Sequence, residues 1–223
     1  MLELLLKVAL APSLVVLATL ASRRWGDMIG GIIIAVPIVA GPILLILGLD
    51  HGAAFVHRAA QAALLGIVAV GAFCIACGRT LRLGWGIAIG LGWLAYGFVT
   101  AVLAGSEPTV WIGLPAALTA VAVARWLIGA AASDARAAAD PPSWDRPARA
   151  AATALLVVGL TSTASALGPS VSGLLTPFPV ATSVVVAFTQ SQAGRDAAIR
   201  TLRGYLTGLP GFAAFFVIVA LFT

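Results

Sequence analysis

Residues 172–183 read SGLLTPFPVATS and lie inside a long apolar run. These twelve residues include two prolines, one glycine and four hydroxyl side chains. A proline removes one backbone hydrogen bond from a helix and displaces the turn before it. The stretch therefore predicts a helix that is interrupted within an apolar segment, and the rest of the chain has to explain the interruption.

The composition places this segment in lipid. Of the 223 residues, 61% are hydrophobic and 9% are charged, with a mean hydropathy of +1.08. A soluble domain carries roughly 25% charged residues. Lipid requires every backbone polar group to be paired, which leaves helices or closed barrels, and the apolar runs lack the alternation of a barrel. We predict an all-α polytopic membrane protein, and the net charge of +5, without a basic block, argues against a nucleic-acid partner.

The apolar runs have the length that crosses a bilayer, about 20 residues. We predict eight spans, at residues 4–21, 28–48, 58–78, 84–104, 109–129, 150–167, 170–189 and 202–222. Residues 129–149 form the only substantial polar segment. The predicted organisation is a first membrane repeat at 1–104, a linker helix and cytoplasmic loop at 105–149, and a second repeat at 150–223.

Basic residues are distributed unevenly between the two predicted membrane faces. Eleven of the thirteen follow an odd-numbered span and so share one face: Arg23, Arg24, Arg79, Arg82, Arg125, Arg136, Arg146, Arg149, Arg195, Arg200 and Arg203. Only Lys7 and Arg58 lie on the other face. Because cytoplasmic loops carry the excess of Lys and Arg, we expect the arginine-rich face to be cytoplasmic and both termini to be periplasmic.

The sequence also repeats. A shift of 142 residues aligns GDMIGGIIIAVPIVAGP (26–42) with GPSVSGLLTPFPVATSV (168–184) without a gap. The matched pairs include Gly31 with Gly173, Pro37 with Pro179, Gly52 with Gly194, and Arg58 with Arg200. The second copy begins five predicted spans after the first, so it crosses the membrane in the opposite sense. Inverted repeats are the architecture of many secondary transporters, with the binding site at the midplane between the copies.

The matched prolines give the interruption a function. Pro37 and Pro179 are expected to leave the carbonyls of Ile33 and Leu175 without their usual partners, and Pro42 and Pro177 free two more. Lipid offers no replacement, so hydroxyls, water, another helix or a ligand must pair with them. The hydroxyls nearby are Ser172, Thr176, Thr182 and Ser183. We interpret the two broken helices as a polar substrate site; packing kinks are the alternative.

A family resemblance follows from the second copy. A G-L-x-x-x-F-P element (Gly173 to Pro179), an S-x-x-G-x-x-A-x-x-R turn (191–200) and a following helix with Pro210 and Phe212 resemble the GlpM family of small bacterial inner-membrane proteins. In the first copy, Val36 replaces the Phe. Family members are about half as long, so the resemblance implies a fused pair in the bacterial inner membrane. It also implies an association with the exopolysaccharide alginate.

Other chemistry is sparse. Cys74 and Cys77 form a CxxC within a predicted span, where core packing is the favoured interpretation. Asp27, at the mouth of the second span, is the only carboxylate placed to relay protons into the membrane. His51 and His57 fit a solvated loop. We predict no enzyme activity, no metal and no cofactor, because the sequence contains no nucleophile–base pair or metal-ligand set.

Three functions remain open at this stage. The leading interpretation is an alternating-access permease for a polar or anionic solute, with Arg58 and Arg200 as gates at opposite membrane faces. The second is a non-transporting membrane subunit of envelope polysaccharide machinery. The third is a flippase for a lipid or lipid carrier. Besides the bilayer and a small solute, a second copy in a homodimer is an expected partner.

Overall fold

A computed structural model of the chain describes residues 2–38, 40–106, 109–131, 144–164 and 177–223. Within these ranges the secondary structure is helical throughout, with no strand. The helices are α1 (Leu2–Trp25), α2 (Asp27–Ile34), α3 (Ala40–His51), α4 (Ala53–Thr80), α5 (Trp85–Leu103), α6 (Val110–Ile128), α7 (Asp145–Ala164), α8 (Val180–Ala193) and α9 (Arg195–Phe222). A 3₁₀ turn, Leu81–Leu83, extends α4.

Four segments are long and apolar enough to cross a membrane: Ala53–Leu83, Trp85–Leu103, Val110–Ile128 and Arg195–Phe222. They correspond to the third, fourth, fifth and eighth predicted spans. The prediction of an all-helical chain with membrane-length apolar helices is confirmed to this extent. The loop predicted at 129–149 extends too far, because helix α7 already begins at Asp145.

The predicted interruption at Pro37 separates α2 from α3. The chain tightens there into i→i+3 turns, in which Ala35 N–H donates to Ile32 O and Val36 N–H donates to Ile33 O, both at 3.1 Å. Because position 37 is a proline, the carbonyl of Ile33 has lost its usual i→i+4 donor, as expected, and it accepts the N–H of Val36 instead. Shorter-range hydrogen bonds satisfy it within the chain itself.

The second interruption precedes α8. Pro179 occupies the N-cap position of this helix, and its carbonyl accepts a hydrogen bond of 2.9 Å from Ser183 N–H. Residues 165–176 are outside the described part of the chain, so the predictions for Ser172, Leu175 and Thr176 fall on undescribed residues.

Two long helices have matching limits. Helices α4 and α9 are both 28 residues long, and each boundary of α9 lies 142 positions after the corresponding boundary of α4. Each follows a glycine with positive φ, 83° at Gly52 and 85° at Gly194. Residues other than glycine rarely adopt this backbone conformation. The limits of these two helices therefore follow the alignment register found in the sequence.

Helix packing forms one main core and a small second cluster of Ala11, Val157 and Val180. Helix α4 contacts α5, α6 and α9, while α1 packs against α2 and α7. The closest crossing joins α2 to α9, where Gly31 faces the backbone of Thr201 and Gly204 faces the backbone of Met28. Any side chain at these two glycines would separate the helices. Helix α6, predicted as part of a linker, packs against both α4 and α9.

Candidate functional site

The arginine-rich end of the bundle contains a buried carboxylate. Asp145, at the start of α7, is fully buried and accepts hydrogen bonds from three side chains. Arg23 Nη2 lies 2.7 Å from Asp145 Oδ2, Arg149 Nε lies 3.0 Å from Oδ1, and the Gln192 amide donates to Oδ1. Arg149 Nη2 also donates to Gln192 Oε1 at 3.1 Å. This Asp145 cluster joins the end of α1, the start of α7 and the end of α8.

A second ion pair lies at the same end. Arg200 on α9 donates to Asp27 Oδ2 on α2 from Nε at 3.1 Å and from Nη2 at 3.0 Å. Ser22 Oγ donates to the other oxygen, Oδ1, at 2.9 Å. Both charged side chains are largely shielded, with 20% of Asp27 and 26% of Arg200 exposed. The sequence placed these two residues in different roles, and the structure joins them.

Together, the Asp145 cluster and the Asp27–Arg200 pair form what we call the ionic latch. Its six members are Arg23, Asp27, Asp145, Arg149, Gln192 and Arg200. The latch connects α1 and α2, in the first half of the chain, to α7, α8 and α9, in the second half. Opposite charges that are taken out of water hold strongly only when their remaining hydrogen-bonding positions are filled. Asp145 meets this condition with three donors.

Further polar contacts and aromatic residues mark the same end. Arg203 donates to Gly129 O at the end of α6, and Gln190 donates to Leu81 O after α4. Four exposed tryptophans lie near these helix ends: Trp25, Trp85, Trp126 and Trp144. Tryptophan is enriched where a membrane meets water. The end that carries the predicted excess of arginine therefore also has the aromatic residues of a membrane interface.

Hydroxyl and aromatic side chains surround the second interruption. Ser183 Oγ donates to Pro179 O at 2.6 Å and accepts a hydrogen bond of 2.9 Å from Trp93 Nε1 on α5. The ring of Phe178 lies 5.8 Å from that of Trp93 and 5.0 Å, edge-on, from that of Tyr96. Both Thr182 and Ser183 are buried. The predicted hydroxyls Thr182 and Ser183 thus lie inside the bundle.

The remaining predicted residues lie in other surroundings. Pro37 is half-buried between α2 and α3, and Pro42 is half-buried in the first turn of α3. Arg58 is exposed near the start of α4. Cys74 and Cys77 are buried in α4 as free thiols. Within the described ranges no three metal-ligating side chains come together.

Sequence reasoning missed several residues of these clusters. Asp145 was assigned to the polar loop, although Asp145 and Arg149 have the i,i+4 spacing at which opposite charges meet on a helix. That spacing was a readable signal. The hydrogen bonds of Gln192 to Asp145 and of Trp93 to Ser183 join residues 47 and 90 positions apart, and no local pattern announces them.

Comparison with known proteins does not assign the chain to a family. The chain matches no family model, no curated protein and no solved structure with which it was compared. The resemblance to the GlpM family therefore stays a prediction that rests on the residues quoted for it.

Proposed function

We propose that this protein is a small alternating-access transporter for a polar or anionic solute. In this proposal, eight spans form two inverted repeats in the bacterial inner membrane, and both termini are periplasmic. The solute site comprises the two interruptions and their hydroxyls, with an arginine toward each membrane face. The members of this site are Pro37, Pro42, Arg58, Ser172, Thr176, Pro179, Thr182, Ser183 and Arg200.

The matching limits of α4 and α9 support the inverted repeat. The same register of 142 residues also aligns Glu3 with Asp145 and Lys7 with Arg149, so an acid and a base with i,i+4 spacing begin both copies. If the second copy is inverted, these two charge pairs lie at opposite faces of the membrane. Transporters of this architecture open to one face at a time as the copies move against each other.

The ionic latch is the observation that carries the proposal. Within the described residues its ion pairs tie the first copy to the second at the arginine-rich end, while the hydroxyl-lined interruption lies deeper in the bundle. This arrangement is what a transporter closed at its arginine-rich face requires. A solid scaffold subunit also needs packing between its copies, but it has no need for ion pairs whose release would separate them.

Two events would release the Asp27–Arg200 pair. A proton on Asp27 removes the negative charge that holds the guanidinium of Arg200. Alternatively, an anionic solute replaces Asp27 on the same N–H groups, because a guanidinium presents a planar fork that fits carboxylate and phosphate equally well. Asp27 as a proton relay and Arg200 as an anion gate, which the sequence suggested separately, thereby become two halves of one switch.

Access of a reagent to the second interruption tests this proposal. The reporter is the thiol of a Ser183→Cys substitution, in a chain whose Cys74 and Cys77 are replaced by alanine. The reagent is a membrane-impermeant maleimide applied to inside-out vesicles. Asp27→Asn with Asp145→Asn should raise labelling of this reporter thiol several-fold. Arg200→Gln, a milder change, should raise it in the same direction if the double variant is poorly produced.

The matched control is Asp196→Asn. Asp196 lies at the same end, its side chain is 42% exposed, and its ion pair with Arg195 is long, at 3.7 Å. Removing its charge should therefore leave labelling of the reporter thiol at the parent level. Unchanged labelling in both latch variants would reject the gate and favour a static subunit.

If labelling rises, a thermal-shift panel of carboxylates, phosphates and sugars can identify the solute class, since a ligand that binds only the folded protein raises its melting temperature.

A further inference from the structure

An open groove runs along the side of the bundle between α4, α5 and α6. Its volume is about 480 Å³, and its lining is almost entirely apolar. Helix α4 contributes Val68, Gly71, Ala72 and Ile75, helix α5 contributes Val99, and helix α6 contributes residues between Pro115 and Val123. Neither interruption lines it, so the groove is separate from the proposed solute site. All three helices are of membrane-crossing length, so the groove faces lipid.

The groove leads toward the arginine-rich end. Positions 68, 72, 75 and 79 follow one helical stripe on α4, and the stripe continues from the groove to the exposed side chain of Arg79. On α6, the stripe from Thr119 and Val123 continues to the exposed ring of Trp126. A cation and an interfacial aromatic residue therefore stand at the open end of an apolar groove.

The dimensions fit one leaflet of a bilayer. From Val68 to Arg79 the helix rises about 16 Å, at roughly 1.5 Å per residue. Half of the hydrocarbon core of a bilayer is about 15 Å thick. The groove, together with the stripe that continues from Ile75 to Arg79, thus extends from about the midplane to the headgroup level. A transmembrane helix from a second copy would pack along the full thickness of the bilayer, about twice the length of this groove.

We infer that this groove binds one anionic phospholipid of the leaflet at the arginine-rich face. An acyl chain lies against Gly71, Ala72 and Ala116, and the headgroup phosphate meets the guanidinium of Arg79. The guanidinium supplies charge and hydrogen-bond donors to the phosphate. The apolar lining supplies the chain contacts that a flat helix surface lacks.

Lipid retention tests this inference. The protein is reconstituted in nanodiscs of phosphatidylcholine with phosphatidylglycerol, extracted again, and examined by native mass spectrometry. The wild type should retain one phosphatidylglycerol in preference to phosphatidylcholine. Arg79→Gln should lower this preference about fivefold, the scale of one basic residue at an anionic surface. Ala116→Phe, which fills the groove, should lower retention of both lipids.

Two controls match these variants. Arg24→Gln removes an exposed cation at the same membrane end on α1, and Ala122→Phe adds a ring to an exposed position of α6 outside the groove. Both should retain phosphatidylglycerol as the wild type does. Equal retention by the wild type, Arg79→Gln and Ala116→Phe would overturn the site. A dimer that Ala116→Phe abolishes while the lipid count stays constant would also overturn it, by assigning the groove to self-association.

Discussion

The two interruptions lie 142 residues apart, in the register of the predicted repeat, yet their surroundings differ. Around Pro37, the neighbouring side chains Val36 and Ile38 are exposed and apolar, at 44% and 39%. Around Pro179, the corresponding residues Phe178 and Val180 are half-buried and buried, and Phe178 packs against the rings of Trp93 and Tyr96 on α5. The first interruption satisfies its backbone with i→i+3 turns of its own. At the second, the N–H and the hydroxyl of Ser183 both donate to Pro179 O, and Trp93 of α5 donates to that hydroxyl.

The sequence register explains this difference residue by residue. The positions of Phe178, Thr182 and Ser183 correspond to Val36, Ala40 and Gly41 in the first copy. The first copy therefore has no hydroxyl where the second has two. If the chain transports a solute, its polar contacts come mainly from the second copy, and the first interruption serves as a hinge rather than a binding surface.

The largest expected loss of stability comes from a substitution in the Asp145 cluster. Asp145→Asn removes the charge that Arg23 and Arg149 share, and Arg149, only 4% exposed, then stays buried without a counter-charge. Breaking one partner out of a buried ion pair costs about 3–5 kcal/mol. Thermal unfolding in detergent should show this as a large fall in melting temperature.

Asp196→Asn is the matched control for this stability measurement. Its carboxylate is solvated, and exposed pairs contribute roughly 0–1 kcal/mol. A small loss at Asp145, equal to that at Asp196, would mean that helix packing, and not the Asp145 cluster, holds α7 in place.

The next effect tests how the first copy is held. Gly31→Ala on α2 adds a methyl group where the backbone of Thr201 and Tyr205 on α9 leaves no space. Overfilling a packed interface costs about 1–3 kcal/mol. Gly86→Ala on α5 is the control, since nothing lies within 4 Å of its new methyl group. Alanine is better than glycine in a helix by about 1 kcal/mol, so Gly86→Ala should raise the melting temperature slightly.

The α2–α9 crossing and the Asp145 cluster show which parts of this fold can be predicted from the sequence. Apolar length predicts where the long helices run, and proline predicts where α2 ends and α8 begins, because both are local properties of the chain. The α2–α9 crossing depends on Gly31 meeting Thr201, which lies 170 positions later, and periodicity contains no information about such a contact. Asp145 was missed for a different reason: a carboxylate next to a polar segment resembles a solvated one until its partners are known.

A smaller effect is expected within the hydroxyl cluster. Ser183→Ala leaves the indole N–H of Trp93 without its acceptor, and an unsatisfied buried donor costs about 1–3 kcal/mol. We expect the lower part of this range, because Trp93 is only partly buried. Ser191→Ala on the same helix removes an exposed hydroxyl and should have no measurable effect on melting. If Ser183 tolerates alanine equally well, the hydroxyl cluster is no more important than the apolar surroundings of Pro37.

The smallest effect compares Arg58 and Arg200, the two arginines that the sequence register aligns. Arg200→Lys keeps the positive charge near Asp27 but replaces a guanidinium that donates to Oδ2 from two nitrogens with an ammonium. The loss of stability should be below about 1 kcal/mol, the usual contribution of a pair in contact with water. Arg58→Lys changes an exposed side chain and should alter the melting temperature even less.

Stability alone does not separate a gate from a surface anchor at Arg200, but reagent access to the Ser183→Cys reporter does. An anchor needs only positive charge, so lysine would leave labelling of the reporter thiol at the parent level. A gate that grips Asp27 through a planar fork loosens when lysine replaces it, so labelling at the arginine-rich face should rise while the melting temperature hardly changes. Arg58→Lys should change neither quantity at that face. Equal labelling in all three proteins would reduce Arg200 to the role that Arg58 has, a charge at a membrane boundary.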